Sequence, residues 1–113
     1  MEEKSLRTID HQELKQKMDH QASFRLVMAL NEWQYQTKRI PGSLYFATIQ
    51  KALAELRKED EIVVYCSDRT CVASAALGKL LEYQGYAHVL HFAGGLAEWE
   101  QAGYPLEGRD VPV

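Results

Sequence analysis

Two cysteines hold the reactive potential of this sequence, and they stand five positions apart in the segment Cys66-Ser67-Asp68-Arg69-Thr70-Cys71. A cysteine attacks as the thiolate, so its surroundings decide whether it reacts or only packs. Cys66 closes the apolar run Ile62-Val63-Val64-Tyr65, and Cys71 precedes the Ala- and Leu-rich stretch from Val72 to Tyr83. The pattern reads as strand, loop, helix. It places Cys66 at the carboxyl end of a strand, the edge at which open α/β sheets collect functional groups. Backbone N–H groups of the curved loop and of the helix start are expected to point towards the Cys66 sulfur and to favour its anion. The competing reading is a small buried hydrophobe capping a strand, a common fate of free cysteine.

Cys71 also has two readings. If the loop turns back at the first helical turn, Cys71 could attack an oxidised Cys66 sulfur and leave a disulfide. The pair would then be a dithiol redox centre, with Cys71 as the resolving cysteine. Disulfide geometry asks for Cα atoms within about 7 Å, which this spacing permits. Otherwise Cys71 faces the core at a helix start. The histidines, His11, His20, His88 and His91, show no zinc-site spacing with the cysteines, and two thiolates in one tight loop are too few for a structural zinc, so no metal is expected. His91 is expected just past the last strand, at the sheet edge of Cys66, in a surface or core role.

Elements must position these residues. Short β-type runs alternate with helix-type runs, which predicts βα units and a mostly parallel sheet covered on both faces. A first short strand lies near Thr8-Ile9. Asp10 then caps a helix to about Asp19, with Glu13 as the second member of a capping box. Phe24 to Met28 is an apolar run broken by Arg25, and Asn31 caps a segment with Trp33 and Tyr35, which either pack or border substrate access. Ile40-Pro41-Gly42-Ser43 signals a turn, and Leu44-Tyr45-Phe46 a brief strand. Thr48 caps a helix with Ile49, Leu53 and Leu56 on its buried face. Ile62 to Tyr65 suits a central strand, and Val72 to Tyr83 a helix ending before Gly85. Ala87 to His91 is the last strand. Gly94-Gly95 breaks the chain ahead of a final helix, Leu96 to Gln101, whose Trp99 belongs to the core.

The whole chain has 113 residues, 46% hydrophobic and 26% charged, the composition of one soluble globular domain, 1–113, with its core at about 6–107. A chain of this size needs no metal or disulfide staple, which leaves both cysteines free for chemistry. Net charge is −3 and no cluster of Lys and Arg stands out, so neither nucleic acid nor an anionic membrane is an expected partner. The polar start Met1-Glu2-Glu3-Lys4-Ser5 leads into no apolar run, which predicts a cytoplasmic address. There a cysteine is more often catalytic, redox-active or buried than part of a permanent disulfide.

The segment Ile62-Val63-Val64-Tyr65-Cys66, with Ala75-Ala76-Leu77, Leu80-Leu81, Gly85-Tyr86, Val89, Gly94-Gly95, Trp99 and Ala102-Gly103-Tyr104-Pro105-Leu106, resembles the rhodanese-like sulfurtransferase family. Ile40-Pro41-Gly42-Ser43 resembles that family's turn after the second helix. The resemblance implies an α/β fold, a single rhodanese-like domain with a five-stranded parallel sheet flanked by helices on both faces. It implies catalysis by Cys66, which takes sulfane sulfur from a donor as a persulfide and yields it to a thiol or other nucleophilic acceptor, with no cofactor. Ser67, Asp68, Arg69, Thr70 and Cys71 would line the substrate pocket. The donor and acceptor are small molecules or protein-bound groups, and a protein partner is conceivable.

The loop departs from its family. Where many active members carry Arg five residues after the cysteine, this chain has Cys71, and Arg69 stands where Gly is usual. Asp68 would repel a dianion, so thiosulfate is expected to be a poor donor. The family's Asp-x-Arg and Gly-His correspond to Met28-Ala29-Leu30 and Lys38-Arg39, which removes an ion pair from the core. Phosphatases of this fold need a longer loop with a closing Arg, and position 72 is Val. The departures leave two alternatives to a sulfurtransferase: a non-catalytic rhodanese-like binding or redox-sensing module, and a dithiol reductase using Cys66 and Cys71.

Overall fold

Hydrophobic alternation along four short strands sorts the core into two layers. The computed structural model describes residues 6–20, 23–29, 31–68 and 71–109. The elements run β1 (Arg7–Ile9), α1 (His11–Asp19), β2 (Arg25–Met28), α2 (Glu32–Thr37), α3 (Ile49–Glu55), β3 (Glu61–Tyr65), α4 (Ala73–Tyr83), β4 (His88–Phe92) and α5 (Gly95–Gln101). The strands form one sheet in the order β1-β4-β3-β2, every pair parallel. One face carries Leu26, Met28, Val63, Tyr65, Leu90 and Phe92, packed with Leu14 of α1 and Trp99 of α5. The other carries Val27, Ile62, Val64 and Val89, packed with Ala52 of α3 and Leu81 of α4. β3 is fully buried from Ile62 onward because both faces are covered.

Among the described residues the sheet has four strands where five were expected. Leu44 does bridge to Val27 in parallel, its carbonyl accepting from Met28 N at 2.9 Å and its N–H donating to Leu26 O at 2.7 Å. The pairing stops there. Tyr45 stacks on Tyr35 with ring centroids 5.5 Å apart, and Thr48 already caps α3, so the segment is too short for a ladder. The expected caps at Asp10, Asn31 and Thr48 each accept a backbone N–H. In α3 the deeply buried residue is Ala52, while Leu56 is buried at the helix end and Ile49 and Leu53 are half-covered.

The helices close in tightly where the sequence is small. A Cβ on Gly78 of α4 would lie 2.7 Å from the Leu6 side chain and 3.2 Å from that of Val64, so a side chain there would have to displace Leu6 and crowd β3. Trp99 is fully buried, donates from Nε1 to Pro105 O at 2.7 Å, and meets Phe92 and Tyr104 edge-on. Burial of such a side chain contributes about 1.5–3 kcal/mol or more.

Candidate functional site

Register fixes where Cys66 emerges. Met28 and Phe92 flank Tyr65 on the neighbouring strands, so β2, β3 and β4 end level and Cys66 is the first residue beyond the sheet. It is nonetheless only 1% exposed. Its backbone is held by the start of α5: Leu96 N donates to Cys66 O at 2.9 Å, and Ala97 N donates to Ser67 O at 2.8 Å. Gly95 makes this approach possible. Its φ is +63°, and a Cβ there would sit 2.5 Å from the Cys66 carbonyl oxygen and 3.0 Å from Asp68 N. On the other side the Cys66 sulfur lies 3.7 Å from the carbonyl oxygen of Ala29, whose N–H binds Tyr65 O at 2.8 Å.

Cys66 and Cys71 are joined as a disulfide, with Cα atoms 6.2 Å apart. The pair meets the separation expected of bridged cysteines. Cys71 is partly buried, unlike Cys66, and its N–H donates to Asp68 O at 3.2 Å. That amide closes the turn. Ser67 and Asp68 are partly buried beside Cys66. Arg69 and Thr70, named from the sequence as pocket residues, lie outside the described residues.

His91 is not past the last strand. It sits within β4, beside Val64, on the face covered by α4. Its Nε2 lies 2.8 Å from Oγ of the buried Ser74, and burial lowers its pKa below the ordinary value of 6.5. It therefore serves the packing of α4 on the sheet. Trp99 is core, Tyr35 donates to Ser43 O at 2.8 Å, and Trp33 is 65% exposed. A neutral hydrogen-bonded brace stands in the core. The Tyr65 hydroxyl accepts from Ile40 N at 3.1 Å and shares a 2.6 Å hydrogen bond with Ser43 Oγ. Burial pushes the Tyr65 pKa to about 12, so the brace stays uncharged.

Sequence reasoning missed Gly95 and Ala29. Gly94-Gly95 signalled a chain break without showing that one glycine accommodates the loop after β3, and Ala29 becomes visible only through the β2–β3 register. Ala29 also lines an apolar cleft of about 150 Å³ with Met28, Phe46, Ile49 and Leu77. A larger cleft of about 290 Å³, lined by Arg7, Lys17, Glu61, Glu82 and His88, lies by the amino ends of β3 and β4, away from Cys66. Among the described residues, no group of three His, Cys, Asp or Glu side chains is arranged to hold a metal ion.

The arrangement has counterparts. The family profile of the rhodanese-like domain matches residues 10–102. A sulfurtransferase of Allochromatium vinosum is 28% identical over 100 residues, covering 87% of this chain and 92% of that protein. An HTH-type transcriptional regulator of Mycobacterium tuberculosis is 32% identical over 82 residues, covering 71% of this chain, but the match spans only 35% of the regulator's length. The solution structure of a rhodanese-like domain from Anabaena superimposes with a TM-score of 0.82 at 25% identity, covering 94% of this chain and 84% of that one. With the parallel sheet, the strand-end cysteine and a family match across most of its length, this chain belongs to the rhodanese-like domain family.

Proposed function

We propose that this chain is a sulfurtransferase that carries sulfane sulfur as a persulfide on Cys66. Sulfur transfer as the general chemistry is supported by family membership and by the sulfurtransferase relative. The observation that carries the finer reading is the position of Cys66. It is a nucleophile directly after the central strand, its carbonyl clamped by α5 through Gly95 so that the sulfur has a fixed place. A fixed nucleophile needs little reorganisation to meet a donor.

In the reduced protein the Cys66 thiolate attacks the outer sulfur of a persulfide donor, forms the Cys66 S–S bond and expels the donor thiolate. An acceptor thiolate then attacks that outer sulfur and returns Cys66 as the thiolate. Ser67, Asp68 and Cys71, partly buried beside Cys66, are the residues a donor would meet on the way to the sulfur. With Cys71 in place of the family's Arg, and Asp68 in the loop, persulfides and polysulfides suit the site better than dianionic thiosulfate. A cytoplasmic setting, rich in thiols, would supply both acceptor and reductant.

The test is transfer of sulfane sulfur from glutathione persulfide to a thiol acceptor by the pre-reduced protein. Transfer is expected in the wild type and lost in Cys66→Ser. Equal rates in both would contradict the reading. The disulfide favours one other reading, a redox-sensing module without turnover. That module would show no transfer in either form, and Cys66→Ser would bind its partner as the reduced wild type does.

A further inference from the structure

We propose that Cys71 resolves the Cys66 persulfide, so that the disulfide is the product of a sulfide-releasing half-reaction and the chain reduces sulfane sulfur to hydrosulfide as well as passing it on. The inference rests on the reading of Cys66 as a persulfide carrier. Three observations support it. The two cysteines are paired in a loop closed by the Cys71 N–H to Asp68 O hydrogen bond, with Cα atoms 6.2 Å apart. The pair is asymmetric, since Cys66 is 1% exposed and its backbone is clamped while Cys71 is only partly buried. Finally, Cys71 stands two residues before Ala73, the first residue of an eleven-residue helix whose N-cap, Val72, is 77% exposed and supplies no side-chain cap. An anionic sulfur there meets the positive end of the helix dipole.

The step balances without an outside oxidant. The Cys71 thiolate attacks the inner sulfur of Cys66-S-SH, the new S–S bond forms, the outer one breaks, and hydrosulfide leaves with the electron pair. The sulfane sulfur is reduced and the two cysteines are oxidised. Two equivalents of a thiol complete the cycle. The first attacks the more accessible Cys71 sulfur and releases Cys66 as thiolate, and the second removes the mixed disulfide from Cys71 as an external disulfide. Cys66 is thus freed first, ready for the next donor.

The experiment uses reduced wild type and Cys71→Ser, each given one equivalent of glutathione persulfide and then freed of small molecules. The wild type is expected to release about one equivalent of hydrosulfide while the Cys66–Cys71 bond forms, and Cys71→Ser to keep the extra sulfur on Cys66 at least about tenfold longer, since a neighbouring thiol acts at high effective concentration. If both proteins hold the persulfide equally long, or the wild type releases sulfide without forming the bond, the inference is overturned and the sulfurtransferase reading stands. If neither gains sulfur, both are overturned. The wild-type measurement alone decides the matter should Cys71→Ser fail to fold.

Discussion

Cys66 combines near-complete burial with a place at the edge where the strands end, and backbone contacts reconcile the two. The α5 amides hold its carbonyl and that of Ser67, leaving the sulfur between Ala29 and Cys71. His91 illustrates the opposite case, a titratable residue spent on packing. Burial lowers its pKa, so as pH falls through 6.5 the unfolded chain takes up a proton that folded His91 refuses. Stability is therefore full above that pH and declines below it, until the folded residue also protonates. In His91→Gln the fall in urea midpoint between neutral pH and about pH 5 is expected to be shallower than in wild type, as loss of one coupled proton requires. An unchanged slope would show that His91 is not the coupled group.

At the scale of elements, the meeting of α5 with the loop after β3 is the contact that matters. Gly95→Ala must leave the left-handed region or strain within it, at about 1–2 kcal/mol, and must also move backbone away from the Cys66 carbonyl. A total loss of about 2 kcal/mol or more in urea unfolding is expected, with slower sulfur uptake by Cys66. Wild-type stability and uptake would mean that the clamp is dispensable. The strands, the helix caps at Asp10, Asn31 and Thr48 and the burial of Trp99 were legible from side-chain type and period, because local hydrogen bonding and hydrophobic patterning set them. The fifth strand misled because Leu44-Tyr45-Phe46 has strand composition, while Tyr45 leaves to stack on Tyr35. His91 misled because no local signal marks the end of the strand, whereas pairing with β3 carries β4 one residue further, to Phe92, and leaves His91 inside it facing α4. The Cys66-to-Cys71 approach was legible as permitted by spacing, whereas its realisation depends on how the loop closes between Asp68 and Cys71.

Across the molecule, two apolar layers on either face of one sheet hold the fold, and the disulfide crosses neither. The six-residue loop it closes is worth about 2 kcal/mol by chain entropy, so reduction is expected to lower the urea midpoint while the protein stays folded. Unfolding on reduction would instead assign the cysteines a structural role. Among the described residues, no helix is long and apolar enough to cross a membrane.

The central claim, that Cys66 carries sulfur, is tested most directly by the intact mass of reduced Cys71→Ser protein after brief exposure to glutathione persulfide. The account predicts a gain of one sulfur atom, mapped to Cys66 and absent when Cys66 is also replaced by Ser. A folded protein whose mass stays unchanged would contradict it.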